Sequence, residues 1–261
     1  MAELYVMHHA TCARKALMAL LEKGAPVGTR ELDRLYLRTP EYRALNPDGV
    51  VPTLVLDDGS PLVESSIIMR YLDKAYDGPA LQPADPWRRA QCDLWLKLID
   101  EKYFPALGAI TAATFIRSMF GDPIDTVRLK VMLDAMTDHA GRLMREDCVL
   151  RGLDSPFVPA GLASLRKMLD RIEAALADHD WLADDRITLA DCAMMPIMLR
   201  LDEFGMSAAW TTRLPRTTGW WNRLSARPSV TRIVAMANRG LLDEVIVSVE
   251  GARAAYLEAL A

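Results

Sequence analysis

Two nearby stretches carry residue types that could hold a ligand. Val51-Pro52 follows a pair of turn dipeptides and leads into a short apolar run. In the trans form Pro52 would simply open a strand, whereas in the cis form the Val51 N–H and C=O would turn toward a ligand; the spacing alone leaves both open. Glu64-Ser65 precedes a segment with helical apolar spacing, which we expect Ser65 or Ser66 to cap. Because a helix start carries free N–H groups and the positive end of the helix dipole, an anion placed there is stabilised.

The elements that must position these stretches alternate between strands and helices. The residue pattern predicts a strand over 4–7, a helix over 13–23 that ends at Gly24, a strand over 26–32, a short helix that Thr39 caps, a hairpin of 53–56 with 62–63, and a helix after Ser66. This order is that of a thioredoxin-like α/β domain, which we expect to end near Tyr76.

A segment rich in Pro and Gly follows, and beyond it only helical patterns remain. We therefore predict domains over 1–77 and 86–261, joined by a linker over 78–85, with Asp85 capping the first helix of an all-α helical bundle. The bundle is predicted to hold helices over 87–104 with a kinked continuation past Pro105 toward Phe115, and over 125–145, 162–176, 215–224 and 229–237, with a break at 156–159 and a helical tail over about 242–260.

One further helix begins after Thr188. Thr188 and Asp191 have the spacing of a capping box, although Asp replaces the usual Glu or Gln. The residues that follow are almost wholly apolar, and a helix that is apolar on all faces is a buried one. We interpret this helix as structural.

The bulk composition narrows the functional classes. The chain has 261 residues, of which 51% are hydrophobic and 25% charged, as in an ordinary soluble globule. A net charge of −4 argues against a nucleic-acid-binding surface. No apolar run approaches the roughly 20 residues of a membrane-spanning helix, and no signal peptide is apparent. The four cysteines are scattered without metal-ligand spacing, so we predict no metal site and a cytoplasmic location.

Val51-Pro52, the hairpin and Glu64-Ser65 together resemble the glutathione site of the glutathione transferase family, and the resemblance covers nearly the whole chain. It implies the two-domain fold, a cis Pro52, a Val51 main chain that pairs with the cysteinyl part of glutathione, and a Glu64-Ser65 pair that holds the γ-glutamyl end. It also implies glutathione as co-substrate and a homodimer. A basic residue would hold the glycine carboxylate; we assign Arg38, with Lys15 as an alternative, while a merely solvated Arg38 also fits.

Glutathione chemistry needs a thiolate at neutral pH, although the pKa of a free thiol is about 8.5. In the family, the activating group lies in the loop after the first strand. Ala10 falls where several serine-type classes keep their serine. Thr11 is our first choice as a hydroxyl donor, although it could equally be only the N-cap of the helix. Cys12 is second: its pKa could be lowered at a helix start, or it could be a small packing residue. His8 and His9 could orient the substrate or be solvated.

The second substrate is expected between this loop and the helical domain. An apolar wall with sparse hydroxyls suits an aromatic electrophile, although the same residues could belong to the core or to a subunit contact. We predict that this wall consists of residues on the long helix together with the C-terminal tail. The residues on the long helix are Leu107, Ile110, Thr111, Thr114 and Phe115.

Segments 81–90, 94–97 and 100–101 are similar to bacterial β-aryl etherases, which cleave lignin-derived dimers. In those enzymes the glutathione thiolate attacks the carbon that bears the aryl ether and expels a phenolate. The loop after the first strand departs from one etherase type because it lacks an asparagine-serine pair. We therefore predict a glutathione S-transferase that acts on an aromatic electrophile, of the etherase or the detoxification type. The alternatives are a transferase or lyase for another electrophile, a Cys12-dependent thiol reductase, and a non-catalytic binding module.

Overall fold

The computed structural model describes residues 1–237 and 239–261, apart from the side chains of Arg239, Leu241, Leu242 and Val245. The chain forms two compact units. The first contains Met1–Lys97, Ala175–Met198 and Gly219–Asn238, and the second contains Leu98–Ala174, Leu199–Thr218 and Arg239–Ala261. The domain boundaries at 77 and 86 stay a prediction. No helix of the described part of the chain is both long enough and apolar enough to cross a membrane.

The first unit contains a four-stranded mixed sheet with the strand order β2-β1-β3-β4. Strand β1 (Glu3–Val6) pairs in parallel with β2 (Gly28–Glu31) and antiparallel with β3 (Thr53–Val55), which in turn pairs antiparallel with β4 (Pro61–Leu62). This confirms the predicted hairpin. The register places Leu4 beside Leu54, and both side chains are fully buried.

Three helices accompany this sheet: α1 (Thr11–Lys23), α2 (Pro40–Leu45) and α3 (Ser65–Ala75). Helix α1 ends at Gly24, whose φ of 67° is a left-handed conformation that glycine adopts without steric cost. The Thr39 side chain accepts a hydrogen bond from the Tyr42 N–H and so caps α2, as predicted. These observations confirm the thioredoxin-like arrangement of the N-terminal part.

Helices α4 (Pro86–Leu98), α9 (Leu189–Glu203), α11 (Pro215–Ser225) and α12 (Pro228–Met236) lie wholly or partly in the first unit. The predicted cap at Asp85 is confirmed, because its carboxylate accepts the Arg88 N–H at 2.9 Å. One half of the capping box is present, since the Asp191 carboxylate accepts the Thr188 N–H at 2.8 Å. The first part of α9 is buried on all faces, as its composition indicates.

The second unit is helical. The long helix continues from α4 through a π-helical turn at Ile99–Tyr103, α5 (Phe104–Thr111) and a second π-helical turn at Ala112–Ile116. The remaining helices are α6 (Thr126–Asp134), α7 (His139–Arg151), α8 (Phe157–Ala175), α10 (Ala208–Thr211), α13 (Arg239–Ser248) and α14 (Arg253–Leu260).

Two helix predictions in this unit were wrong in detail. A single helix over 125–145 is instead α6 and α7, because Asp138 caps a new helix by accepting the Gly141 N–H. Helix α8 begins at Phe157 and contains Pro159 in its first turn, where a missing N–H costs no helical hydrogen bond. The predicted helical tail is confirmed and consists of two helices, α13 and α14; the Leu242 side chain of the predicted pattern lies outside the described residues.

Candidate functional site

The predicted ligand corner at Val51-Pro52 has a cis peptide bond. Val51 is buried, and Pro52 leads directly into β3. The preceding carbonyl, that of Val50, accepts hydrogen bonds from the Tyr42 hydroxyl at 2.6 Å and from the Asn46 side-chain amide at 2.8 Å. The corner is therefore fixed from beneath by two polar side chains that our sequence analysis did not select.

The Glu64-Ser65 pair lies at the start of α3, but neither serine caps that helix. The N-cap is Glu64, and it makes no side-chain capping hydrogen bond. Ser65 and Ser66 are instead the first two helical residues and are buried. The predicted serine cap was wrong because the chain enters α3 through a φ of 67° at Glu64, which places the serines one step inside the helix.

The backbone of Glu64 is unusual for a residue with a side chain. Positive φ is rare outside glycine and costs free energy that the surrounding structure must supply. Such residues cluster at ligand-binding sites, and here the residue is the one predicted to hold the γ-glutamyl end of glutathione. Its side chain is exposed, so its carboxylate is accessible.

The loop after β1 enters α1 at Ala10, which is the N-cap, so Thr11 is the first residue of the helix. The interpretation of Thr11 as only an N-cap was therefore wrong. Its side chain is half-buried at the positive end of the α1 dipole. The hydroxyl stays our predicted donor.

The Cys12 thiol donates a hydrogen bond to the Val51 C=O, with a sulfur–oxygen distance of 3.0 Å. Although the residue keeps partial solvent exposure, burial of its sulfur raises the pKa of the thiol, and this effect outweighs the opposing charge of Lys15. A reactive thiolate needs a lowered thiol pKa, and the structure shows the opposite for Cys12. Cys12 is a contact that joins α1 to the Val51-Pro52 corner.

A second contact joins α1 to the start of α3. The Lys15 ammonium is fully buried and donates to the Ser66 hydroxyl at 2.8 Å. Within two turns, α1 is therefore bonded to both stretches that the sequence predicts to hold the ligand. This position beneath Ser66 does not favour Lys15 as the exposed cation for the glycine carboxylate.

The other polar residues predicted for the site differ in exposure. His8 is largely buried, and its Nδ1 lies 3.1 Å from the Glu31 carboxylate without hydrogen-bond geometry. The His8 carbonyl accepts the Arg14 side chain at 2.8 Å, which holds the loop against α1. His9 is half-exposed. Arg38 is exposed at the end of a short 3₁₀ helix just before α2, as a cation that meets a soluble ligand would be.

In the second unit, four of the five predicted wall residues are buried, and Thr111 is half-exposed. The Thr111 hydroxyl donates to the Leu107 carbonyl, and the Thr114 hydroxyl donates to the Ile110 carbonyl, both at 2.7 Å. Both hydroxyls are therefore engaged within their own helix. Thr114 also lines a cleft of about 570 Å³ together with residues 117–118, 121–122 and the tail residues 248 and 251–252.

Comparison with known proteins decides the family. Residues 10–75 match the sequence model for the glutathione S-transferase N-terminal domain, and residues 153–228 match that for the C-terminal domain. The chain belongs to the glutathione S-transferase family. The two matched regions cover both stretches of the first unit that are predicted to hold the ligand, and the Thr188–Asp191 segment before α9.

Individual relatives of this glutathione S-transferase support the same assignment. Glutathione S-transferase F10 from Arabidopsis thaliana is 27% identical over 85% of this chain and 92% of its own length. Protein LigF from Sphingobium sp. is 26% identical over 91% of this chain and 94% of its own length. The crystal structure of beta-etherase LigF from Sphingobium sp. strain SYK-6 superposes with a TM-score of 0.77 at 23% identity, covering 90% of this chain and 99% of that one. At this identity the superposition shows a shared fold.

The side chains of Tyr42, Asn46 and Thr53 meet beneath the predicted Val51-Pro52 corner, and sequence reasoning missed them. All three are buried. The sequence contained a signal for two of them, because Asn46 lies in the turn before Pro47 and Thr53 places a hydroxyl at the start of an otherwise apolar strand. Only the fold reveals that their polar atoms meet.

Proposed function

We propose that this protein is a glutathione-dependent transferase whose thiolate attacks an aromatic electrophile, and that its substrate class is the β-aryl ether of lignin-type dimers. In the proposed step, the glutathione sulfur forms a bond to the carbon that bears the aryl ether. The carbon–oxygen bond breaks, and the electron pair leaves with the aryl oxide, which takes a proton from solvent. The products are a thioether of glutathione and a phenol.

The observation that carries the proposal is the convergence of three pieces on the first turns of α1. Cys12 contacts the Val51 carbonyl, Lys15 contacts Ser66, and Thr11 begins the helix. The cysteinyl part of glutathione would pair with the Val51 main chain, and its γ-glutamyl end would meet Glu64 and the first N–H groups of α3. Arg38 would hold the glycine carboxylate.

In this arrangement Thr11 is the proposed activating group. A hydroxyl donor and the positive end of the α1 dipole both favour the thiolate over the thiol, so they lower the pKa of bound glutathione. The chain needs no nucleophile of its own. This separates the transferase from a Cys12-dependent reductase, because the raised pKa of Cys12 leaves little thiolate at neutral pH.

The etherase assignment rests on resemblance to the LigF protein and on the etherase-like segments 81–90 and 94–97. The wall proposed for the electrophile lies on α5 and the π-helical turn after it, where Thr111 alone keeps partial exposure among Leu107, Ile110, Thr111, Thr114 and Phe115. We also propose a cytoplasmic homodimer, as is usual in this family; sedimentation of a monomer would contradict that part.

The test is a panel of substrates with glutathione. One group contains ketones that carry a β-aryl ether, and the other contains simple halogenated aromatic electrophiles. We expect release of a phenol from the first group together with a glutathione thioether. Turnover of only the halogenated group would leave a general transferase, and turnover of neither would contradict the proposed activity.

The role of Thr11 is tested with Thr11→Val and Thr11→Ser. Loss of one hydrogen bond to an anion is expected to lower kcat by about 10- to 100-fold in Thr11→Val, whereas Thr11→Ser should keep most activity. The pH at which kcat is half-maximal should also rise in Thr11→Val, because the bound thiol loses a group that favours its anion. An unchanged pH profile would remove Thr11 from the mechanism.

A further inference from the structure

The buried polar side chains beneath the Val51-Pro52 corner form a closed hydrogen-bond circuit. The Tyr42 hydroxyl lies 2.6 Å from the Val50 oxygen and 3.0 Å from the Thr53 hydroxyl. The Asn46 amide nitrogen lies 2.8 Å from the same Val50 oxygen and 3.1 Å from the same Thr53 hydroxyl. Two side chains thus bond the same carbonyl and the same hydroxyl.

The hydrogens of this circuit can be assigned without ambiguity. The Val50 carbonyl can only accept, so the one hydroxyl hydrogen of Tyr42 is committed to it. The Asn46 amide has two hydrogens, one for Val50 and one for Thr53. Thr53 therefore accepts from Asn46 and donates its own hydrogen to Tyr42. Every hydrogen of the circuit is used once, and the remaining Asn46 oxygen accepts the Asp48 N–H at 3.2 Å.

The circuit determines the direction of the next N–H group. A trans peptide is planar, so its C=O and the following N–H point in opposite directions. Only the peptide bonds before Pro52 and Pro123 are cis in the described part of the chain, so the peptide between Val50 and Val51 is trans. Because the Val50 oxygen is held toward the buried circuit, the Val51 N–H must point away from it.

We propose that Tyr42, Asn46 and Thr53 are positioning residues for glutathione: they hold the peptide before Val51 so that its N–H is aimed at the cysteinyl carbonyl of the tripeptide before it binds. The inference rests on the proposed function, because it assigns a purpose to the Val51 N–H. Such preorganisation increases affinity because the loop has already lost the freedom that binding would otherwise remove.

The surroundings of Tyr42 fit a rigid support. The residue is fully buried, and its ring stacks on that of Tyr5 with a centroid distance of 6.4 Å and an interplanar angle of 18°. Burial raises the pKa of the Tyr42 hydroxyl, so the group keeps the hydrogen that it donates. The ring fixes the position, and the hydroxyl alone makes the contact with Val50.

Two variants remove single hydroxyls from the circuit. Tyr42→Phe keeps the stacked ring and leaves Asn46 as the only support of the Val50 oxygen. Thr53→Val keeps the branched shape and removes the link between Tyr42 and Asn46, whereas Thr53→Ser restores the hydroxyl. The matched control is Tyr5→Phe, which removes the hydroxyl of the neighbouring ring, a group whose partner is Arg30 at 3.3 Å.

Binding of glutathione itself, without electrophile, is measured by calorimetry, and steady-state kinetics use a halogenated aromatic electrophile. We expect the dissociation constant and the KM for glutathione to rise by about fivefold in Tyr42→Phe and in Thr53→Val, the value for one neutral hydrogen bond. The kcat and the KM for the electrophile should stay within about twofold, and Thr53→Ser and Tyr5→Phe should bind as the unaltered protein does. A merely destabilised fold would lower the active fraction and therefore kcat, and would leave the KM unchanged.

Amide exchange of segment 46–52 gives a readout that needs no ligand, and it should become faster in Tyr42→Phe but not in Tyr5→Phe. If the unaltered protein binds glutathione and Tyr42→Phe binds it equally well, the inference is overturned while the proposed function stands. If the unaltered protein does not bind glutathione, both are overturned.

Discussion

The carboxylate of Asp191 offers the sharpest test of how the first unit is held together. The residue is fully buried, and its two oxygens accept four hydrogen bonds. One oxygen accepts the Leu182 N–H at 3.0 Å and the Trp220 indole N–H at 2.9 Å, and the other accepts the Thr188 N–H and hydroxyl, both at 2.8 Å. One side chain thus joins the start of α9 to the segment before it and to α11.

We predict that Asp191→Asn, which keeps the shape, is strongly destabilising. An Asn side chain can accept hydrogen bonds only at its oxygen. If that oxygen faces the Leu182 and Trp220 N–H groups, which is the better of its two orientations, the NH₂ group faces the Thr188 N–H and two donors meet. A buried donor left without a partner costs about 1–3 kcal/mol, and the remaining bonds lose their charge assistance. Burial raises the pKa of Asp191 because it disfavours the charged carboxylate. Removing the charge therefore offsets part of the lost stability. We expect the free energy of unfolding to fall by about 3 kcal/mol, which corresponds to a decrease in Tm of about 6–12 °C.

The assay is scanning calorimetry at one protein concentration, with Asp85→Asn as the matched control. Asp85 makes the same kind of cap at the exposed start of α4, and Asn is as good an N-cap as Asp. The control should therefore change the Tm by less than about 2 °C, since exposed substitutions of this kind cost under about 0.5 kcal/mol. Equal Tm values for the two variants would refute the claim that four-fold acceptance by a buried carboxylate stabilises this unit.

Three further predictions follow from particular residues. Gly78→Ala is expected to lower the free energy of unfolding by about 3 kcal/mol, because φ is 128° and a Cβ would lie 2.3 Å from the Lys23 carbonyl oxygen. In the control Gly24→Ala, the added Cβ meets no atom within 4 Å, so the loss should be about 1 kcal/mol. Urea denaturation of the two variants compares these losses. The raised pKa of Cys12 predicts slow alkylation by iodoacetamide at pH 7, with a rate that increases as pH rises through and above the ordinary thiol range; alkylation of Cys12 in the native protein as fast as in urea would contradict the buried thiol. Cys12→Ser should keep transferase activity, and loss of that activity would restore a catalytic role for the thiol.

Much of the fold followed from local features of the sequence. Turn dipeptides, strand-forming runs and helical spacing located the sheet, and the N-caps at Thr39, Asp85 and Thr188 act through contacts within a few residues. These features can be recognised from the sequence because the residues that interact lie close together in the chain. The break between α6 and α7 was also local, since Asp138 is a capping residue, but the apolar spacing on either side of it concealed the break.

The sequence by itself determined which stretches we propose to meet glutathione: Val51-Pro52, Glu64-Ser65 and the loop that contains Thr11. Only the tertiary structure decided what the neighbouring groups do. The pKa of Cys12 rises because its sulfur is buried against Val51, 39 residues away in the chain, and burial is not encoded by the local helix start. Tyr42, Asn46 and Thr53 acquire a shared role because α2 and β3 place their polar atoms around one carbonyl. Desolvation and the completion of buried hydrogen bonds depend on what surrounds a residue, and that is settled only when distant segments pack together.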